Sequence, residues 1–309
     1  MNIGYEVFLC ICKEKSISRA ARKLYITQQA ASDHVRRLEK KFDVKLFVRR
    51  PIFKLTDEGK IMQFSLQMMK NVEINMKDSL KQYSSGKTGK FRVGISTSRA
   101  PIILPKILPK FMQEYPAVTI SFDEEDTQIL AERLKRGDID LFIGVNTSYD
   151  DDFEIRKIAN DKIKLVISNQ LLKKYGLDKR KGGERIDLKD FASIPFIIPN
   201  FDIGKVSHVI QEYLSNQNVK LNVKFNISDS DTQLAICSTG ACAAICPQML
   251  IAHSIGNSQA NMKMHVYNLK GLENTLRIDV VTHKNILYPK YVIRFIEILS
   301  ETIEGNIDF

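Results

Sequence analysis

Two short segments of this sequence concentrate polar side chains of types that bind other molecules. The first runs from Thr27 to Arg37 and contains two adjacent glutamines, a serine and two arginines. A glutamine amide can present a donor and an acceptor together to one base edge in the major groove of DNA. The second is Ser96-Thr97-Ser98-Arg99, whose hydroxyls and guanidinium suit a small anion such as a carboxylate. Both patterns indicate that these segments bind another molecule.

The first segment has one polar face at helical spacing, formed by Gln28, Gln29, Ser32, Asp33, Arg36 and Lys40. Serine and arginine suit phosphates, which position a protein on DNA without reading its sequence. The Asp33 carboxylate would either accept a hydrogen bond from a cytosine amine or repel a phosphate. The predicted DNA-contacting residues are Ser18, Thr27, Gln28, Gln29, Ser32, Asp33, Arg36, Arg37, Arg49, Arg50 and Lys54.

The sequence gives little support to catalysis or metal binding. It contains no GxSxG, HExxH, P-loop or dinucleotide fingerprint, and its five histidines show no ligand spacing. We therefore predict a protein that is not an enzyme and has no cofactor or metal. The cysteines Cys237, Cys242 and Cys246 lack CxxC spacing and are predicted to be buried in the core. A redox pair within this cluster stays open as the alternative.

The excess positive charge lies entirely in the first third of the chain. Residues 1–90 contain 19 Lys or Arg and 9 Asp or Glu, whereas residues 91–309 contain 27 of each. The plain interpretation is a solvated basic surface. The sharper one is a short polyanion-binding module joined to a neutral module with another task.

The N-terminal apolar stretch ends after Cys12 without a small-residue cleavage site, which argues against a secretory signal. No apolar run approaches the ~18 residues that a membrane span needs. Five cysteines without framework spacing are typical of a reduced compartment. We therefore predict a cytoplasmic location and no membrane partner.

Three short helices and a hairpin are predicted to position the first segment. Val7, Phe8 and Ile11 predict a helix over 4–14, and Ser16 and Thr27 are predicted N-caps of the next two helices. The third helix would run to about Lys41 with an inward stripe of Ala31, Val35, Leu38 and Phe42. Residues 44–56 predict a short hairpin, or wing, that places Arg49, Arg50 and Lys54 against the DNA backbone or minor groove. Two helices joined by a tight turn, the second with amides outward, fit a helix-turn-helix.

A long helix is predicted over about 58–86, with one apolar stripe: Ile61, Phe64, Met68, Val72, Met76, Leu80 and Tyr83. This stripe would pack either on its own domain or, as we favour, on a second copy of the chain. Residues 84–90 are rich in Ser and Gly and predict a flexible linker.

The remaining chain alternates short apolar runs with helical patterns, which predicts an α/β architecture with largely parallel sheets. Strands are predicted at 91–95, 118–122, 139–145, 163–168, 195–199, 219–227, 241–245 and 276–282, and helices at 102–114, 127–136, 203–216, 229–238 and 291–303. Ligands in such folds bind at the carboxyl ends of strands, beside helix N-termini. The loop Ser96–Arg99 lies at such a position. The plainer interpretation is that its serines cap the following helix while Arg99 points to solvent.

The order of these motifs resembles that of LysR-type transcriptional regulators. The resemblance is carried by Ser16-Ile17-Ser18-Arg19-Ala20-Ala21-Arg22-Lys23-Leu24, Thr27-Gln28-Gln29-Ala30-Ala31-Ser32, Leu46-Phe47-Val48-Arg49 and Leu55-Thr56-Asp57-Glu58-Gly59. It implies a winged helix-turn-helix domain over 1–59, a dimerisation helix over 60–89 and an effector-binding domain over 90–309. The last is similar to periplasmic binding proteins of type II, with Rossmann-like subdomains of about 90–161 plus 267–309 and about 162–266.

The resemblance also implies partners and a second site. The partners would be double-stranded DNA, a small effector that we predict to be anionic, and further copies of the chain in a dimer or tetramer. The effector cleft would be lined by Ser96, Thr97, Ser98, Arg99, Thr127, Val145, Asn146, Asn200 and Phe201. The competing hypotheses are a redox-responsive regulator, a solute-binding protein that shares the second fold, and an enzyme with a DNA-binding appendage.

Overall fold

The computed structural model describes residues 2–48, 53–85, 88–200, 204–257, 264–273 and 276–304. In this order the chain forms a small helical module, one long helix and two β-sheets with helices packed on them. The predicted fold class, an α-rich module followed by an α/β domain, is confirmed.

The helical module begins with α1 (Ile3–Glu14), α2 (Ile17–Lys23) and α3 (Gln28–Phe42). Both predicted N-caps are confirmed, because Ser16 Oγ accepts from Arg19 N at 3.3 Å and Thr27 Oγ1 accepts from Ala30 N at 3.1 Å. A cap of this kind contributes about 1 kcal/mol to helix stability. The buried side chains of the three helices form one apolar cluster: Val7, Phe8, Ile11, Ala20, Ala21, Ala31, Val35 and Leu38.

The predicted wing is a two-stranded antiparallel ribbon of β1 (Phe47–Val48) and β2 (Lys54–Leu55). A buried carboxylate fixes its approach to α3: Glu39 is 7% exposed and accepts from Leu46 N at 2.9 Å. The tip of the wing, with the predicted contacts Arg49 and Arg50, lies outside the described residues.

The predicted inward stripe of α3 is wrong at its last member. Phe42 is the final residue of the helix and is 45% exposed. It lines an apolar groove with Tyr5, Val44 and Ile61 instead of entering the core. The helix ends at this point, so the surrounding elements cover only part of the ring.

The linker helix is α4 (Asp57–Ser85), whose 29 residues span about 43 Å. It carries exposed apolar side chains along one stripe: Ile61, Met69, Val72, Met76 and Leu80. Phe64 and Met68 of the predicted stripe are half-buried, and Leu66 belongs to the core of the helical module. The side chain of Tyr83, the last predicted member, lies outside the described part of the structure. This helix therefore packs on its own chain and still leaves an apolar stripe exposed.

The predicted flexible linker over 84–90 is wrong in its second half. Residues 88–90 begin strand β3 (Thr88–Ile95), which pairs with β4 (Ala117–Glu124) from its first residue. Gly89 lies against the ring of Tyr291, and a Cβ there would come within 2.4 Å of a ring carbon. The glycine is therefore explained by close packing.

The first sheet has the strand order β4-β3-β5-β13-β6, with β5 at Leu141–Val145, β6 at Phe153–Asp161 and β13 at Leu276–His283. The β4-β3-β5 pairs are parallel, and the β5-β13-β6 pairs are antiparallel. Its helices are α5 (Ala100–Glu114), α6 (Thr127–Lys135) and α11 (Lys290–Glu304).

The second sheet has the order β10-β9-β11-β7-β12-β8. Its strands are β7 (Ile163–Ser168), β8 (Arg185–Ile186), β9 (Pro195–Ile198), β10 (Asn222–Asn226), β11 (Ala243–Pro247) and β12 (Met264–Leu269). Its helices are α7 (Asn169–Lys174), α8 (Lys205–Asn216), α9 (Ser230–Ser238) and α10 (Gln248–Asn257), with a 3₁₀ turn at Leu188–Phe191.

The expectation of largely parallel sheets is wrong for about half of the pairings. Strands β6, β8 and β12 have no counterpart in the prediction, and β6, β12 and β13 all pair antiparallel with a neighbour. The chain passes from one sheet to the other between β6 and β7 and returns after β12. Because β12 continues to Leu269, the return falls after the predicted residue 267.

Candidate nucleic-acid interface and binding cleft

Helix α3 presents an exposed polar surface. Gln28, Gln29, Arg36 and Arg37 are all exposed. Ser18 on α2 donates its hydroxyl to Gln28 Oε1 at 2.9 Å, so this amide is fixed through its carbonyl while its NH₂ group remains available to a base. Gln29 is the neighbouring amide on the same exposed turn.

Asp33 and Arg36 form an ion pair at 3.0 Å on this surface. The carboxylate therefore has a partner on its own helix, which the two sequence alternatives did not include. The pair also reduces the positive charge that Arg36 offers to a phosphate. Arg37, by contrast, has no ion-pair partner within the described part of the chain.

The remaining predicted DNA contacts surround this surface. Thr27 is exposed but its hydroxyl caps α3, and Ser32 is half-buried. Lys54 is exposed on β2 of the wing. The structure therefore brings the predicted residues of α2, α3 and β2 to one small module.

A cleft of about 600 Å³ lies between the two sheets. Most of its wall residues follow strand ends or begin helices. The wall consists of Ser96–Arg99, 126–129, Glu132, Val145, Pro199, 204–208, Ile210, 228–230, Gln233, Ile245, Pro247 and Leu250. This volume suits a small molecule.

Six of the nine predicted cleft residues border this space: Ser96, Thr97, Ser98, Arg99, Thr127 and Val145. Asn146 is not among the wall residues; it has a positive φ of 46° and its Oδ1 accepts from Arg277 N at 2.8 Å. Asn200 is exposed next to the wall residue Pro199, and Phe201 lies outside the described residues.

Arg99 borders the cleft but already has a counter-ion. Its Nη2 lies 3.2 Å from Asp161 Oδ2, and the two side chains are 3% and 2% exposed. Burial lowers the pKa of Arg99 and raises the pKa of Asp161, and the charge of each partner offsets part of this effect. Arg99 therefore neither points to solvent nor offers the cleft an uncompensated charge.

Asp161 also connects the two sheets. It ends β6 of the first sheet, and its Oδ1 accepts from Met249 N at 3.0 Å, in the first turn of α10. A carboxylate at a helix N-terminus is stabilised by the free N–H groups and the helix dipole. The Arg99–Asp161 pair thus holds the cleft loop to the second sheet.

Two buried polar atoms on the cleft loop lack a hydrogen-bond partner within the described structure: Ser96 Oγ and Arg99 Nε. Leaving such a group unpaired costs about 1–3 kcal/mol. Both residues border the cleft, so an oxygen atom of a bound molecule is the kind of partner they lack.

Three helices begin at the cleft without a side-chain cap on their described N-terminal residues: α5, α6 and α8. Uncapped N–H groups and helix dipoles favour an anionic group. Asp126, Glu132 and Lys205 add charges of both signs to the walls. Most wall residues on α8 and α9 were not predicted from the sequence; the available signal was that these two helices follow strands β9 and β10.

The prediction that the clustered cysteines are core residues is confirmed. Cys237, Cys242 and Cys246 are at most 1% exposed. Burial raises the pKa of Cys237 to about 12 and raises that of Cys246 as well. Because the thiolate is the reactive form, these thiols are poor candidates for a redox switch at neutral pH.

Neither a metal cluster nor a membrane span occurs among the residues that the structure describes. They contain no group of three or more His, Cys, Asp or Glu arranged to hold a metal ion. They also contain no helix with the length and apolar composition that a bilayer crossing requires.

The fold and the two sites define a class: a helix-turn-helix module joined by a long helix to a two-lobed binding domain. Comparison with known proteins specifies it. Residues 4–60 match the model of the bacterial regulatory helix-turn-helix proteins of the lysR family, and residues 84–304 match the LysR substrate binding domain. The chain therefore belongs to the LysR family, and it is a DNA-binding transcriptional regulator with an effector-binding domain.

Individual relatives agree with this assignment. The chain is 27% identical over 232 residues to the HTH-type transcriptional activator CmpR of Synechocystis sp., covering 74% of this chain and 72% of that protein. Full-length CbnR in complex with its target DNA superimposes with a TM-score of 0.61 at 18% identity, covering 97% and 98% of the two chains. The effector-binding domain of QuiR in complex with shikimate superimposes with a TM-score of 0.57 at 16% sequence identity, covering 72% of this chain and all of that one.

Proposed function

We propose that the exposed turn around Gln28 and Gln29 reads an operator half-site, with Arg36, Arg37 and Lys54 on the phosphates. The observation that carries this proposal is the pair of exposed amides at the start of α3, one of them oriented by Ser18. The wing residues Arg49 and Arg50 and the cap residue Thr27 complete the proposed contact set. CbnR, which shares the fold, is seen on its target DNA.

We also propose that two copies of the chain associate through the linker helix. The exposed stripe of α4 continues into the apolar groove that contains Phe42 and Tyr5. A second copy of the same stripe would cover both and would place two reading helices on one duplex. The division of the chain at residues 59 and 89 is part of this proposal, and so is the pairing of dimers into tetramers.

Replacing Met76 by Asp is expected to break this association. Met76 is 53% exposed on the stripe, and an aspartate there would place a charged group in the proposed apolar interface. We expect the dissociation constant to rise by about a hundredfold, which corresponds to about 2.7 kcal/mol. Sedimentation velocity would then show a species near 35.3 kDa. Met112→Asp is the matched control, because Met112 is 64% exposed on α5; equal dissociation in both variants would contradict the proposed interface.

The cleft between the sheets is proposed to bind a small metabolite with an anionic group. The uncapped N-termini of α5, α6 and α8 supply the attraction, and Ser96 Oγ supplies a hydrogen bond. Shikimate, the ligand of the QuiR domain, carries a carboxylate. The protein's location is proposed to be cytoplasmic, and catalytic activity is not expected of it.

A thermal-shift screen of the full chain against small carboxylates, amino acids and other anions tests the cleft. A ligand at a hundred times its Kd adds about 2.7 kcal/mol to the free energy of unfolding. Ser96→Ala should raise the stability of the free protein by about 1–3 kcal/mol, because it removes a buried hydroxyl that has no hydrogen-bond partner in the described structure. The same variant should reduce the thermal shift that any hit causes.

Thr147→Val is the matched control for the serine variant. Thr147 Oγ1 is also buried and unpaired in the described structure, but the residue is not part of the cleft wall. The proposed cleft would be contradicted if both variants responded to a hit as the unchanged protein does. An equal loss of response in both variants would also contradict it.

A further inference from the structure

Helix α6 joins the cleft to the linker helix. Its first residues, Thr127 and Gln128, border the cleft, and Thr127 Oγ1 accepts from Val145 N at 3.0 Å. Its nine residues span about 13 Å. Two residues beyond its end, Gly137 contacts α4. One short helix therefore begins at the cleft and ends next to the contact with the linker helix.

The contact at Gly137 is a convergence of hydrogen bonds on one backbone carbonyl. Gly137 O accepts from Asn71 Nδ2 at 2.9 Å, from Arg92 Nη2 at 2.9 Å and from Gln67 Nε2 at 3.4 Å. Arg92 is oriented by Asp140, whose Oδ1 lies 3.2 Å from Nη2. We call Gln67, Asn71, Arg92 and Gly137 the linker joint.

The linker joint is closely fitted. Asn71 is 3% exposed although it lies on a helix with a largely exposed surface. Gly137 has φ +67°, and a Cβ at this position would lie 2.6 Å from Asn71 Nδ2. Glycine therefore satisfies two requirements at once: the left-handed backbone and the close approach of the asparagine.

The chemistry of the joint suits a contact that can open. Its hydrogen bonds join side chains on α4 and β3 to a single carbonyl, and each contributes only about 0.5–1.5 kcal/mol net. The groups could find water as an alternative partner if α4 moved away. A packed apolar interface would resist such separation because its exposure to water is unfavourable throughout.

We propose that the linker joint transmits the state of the cleft, with or without bound ligand, to the DNA-binding module. This proposal rests on the proposed function of the cleft. Asn71 and Gly137 are positioning residues: a ligand that shifts the first turn of α6 shifts Gly137 and with it the linker helix. Thermodynamic coupling is reciprocal, so binding of DNA must in turn alter the cleft end of α6. This reciprocity allows a test before any effector is known.

The test is hydrogen exchange of the full chain with and without a duplex that the unchanged protein has selected from genomic fragments. We expect amides in 127–135 to change their exchange rate by about fivefold on DNA binding, the lower end of usual site-to-site coupling. In Asn71→Ala the duplex should still bind with the same selectivity, but the change in 127–135 should disappear. A change of equal size in both proteins would overturn the proposal.

Gly137→Ala provides a second variant with a matched control. Gly176 has φ +68° and no atom within 4 Å of the position that a Cβ would occupy, so Gly176→Ala carries the backbone cost without the clash. We expect the control to keep the change in 127–135 and Gly137→Ala to lose it. If Gly137→Ala does not fold, the hydrogen-exchange result for Asn71→Ala tests the proposal by itself. Failure to select any duplex would count against the proposed DNA contacts and not against the joint.

Discussion

Replacing Arg99 by methionine is expected to lower the free energy of unfolding by about 3–5 kcal/mol. Methionine fills much of the same volume, so the effect comes mainly from Asp161, which is 4% exposed and would lose its counter-ion. Such a loss is a large part of the roughly 5–15 kcal/mol of a typical domain. Urea unfolding followed by far-ultraviolet circular dichroism would measure it, since the chain has no tryptophan.

The loss should depend on pH and on the partner residue. Burial already raises the pKa of Asp161, and removal of Arg99 raises it further. A carboxyl whose pKa is higher in the folded state than in the unfolded state stabilises the folded state at low pH, and this stabilisation is lost as the pH rises. The stability that Arg99→Met loses relative to the unchanged protein should therefore become smaller as the pH is lowered from about 7.5 to about 5.

The double variant Arg99→Met, Asp161→Asn should be more stable than Arg99→Met alone. The amide Oδ1 can still accept from Met249 N, and no unpaired charge remains buried at this position. A pH-independent deficit, or a double variant whose loss is the sum of the two single losses, would contradict the buried pair as the cause.

Replacing Gln29 by Ala and Arg37 by Ala is expected to affect DNA binding in different ways. Gln29→Ala should relax selectivity at one base position of each half-site and reduce the free energy of binding to the selected duplex by about 1–3 kcal/mol. Arg37→Ala should weaken binding to all duplexes alike and reduce the slope of log affinity against log salt by about one for each arginine lost. Fluorescence anisotropy with the selected duplex and single-base variants, at several salt concentrations, separates the two.

The Asp33–Arg36 pair sharpens this comparison. Because Arg36 is partly neutralised, Arg36→Ala should weaken binding less than Arg37→Ala. Asp33→Asn should release the arginine and strengthen binding to every duplex. An equal loss of DNA affinity in the two arginine variants would show that the Asp33–Arg36 ion pair does not persist in the DNA complex.

The sequence was most informative where structure is local. The caps at Ser16 and Thr27, the core of the first helices and the long helix α4 depend on residues within a few positions of one another. Periodicity and capping chemistry report such structure directly. The cleft loop Ser96–Arg99 was found for the same reason, since it joins a clear strand to a clear helix.

Contacts between distant segments were not accessible in this way. Asp161 is 62 residues from Arg99, and nothing near either residue indicates the pair. Strand β6 was missed because charged residues occupy several of its exposed positions, which weakens its apolar pattern. The linker joint depends on how α4 packs against β3 and against Gly137, which follows the end of α6, so the close approach at Gly137 has no local signal.

The most direct measurement of the central claim is the affinity of the full chain for a duplex selected from genomic fragments, compared with a scrambled duplex of equal length between about 50 and 200 mM salt. We predict a preference of about a thousandfold or more for the selected duplex, the lower end for specific DNA-binding proteins. Both affinities should fall steeply as salt rises, because phosphate contacts release counter-ions. Equal affinity for the two duplexes would contradict sequence-specific reading by α3.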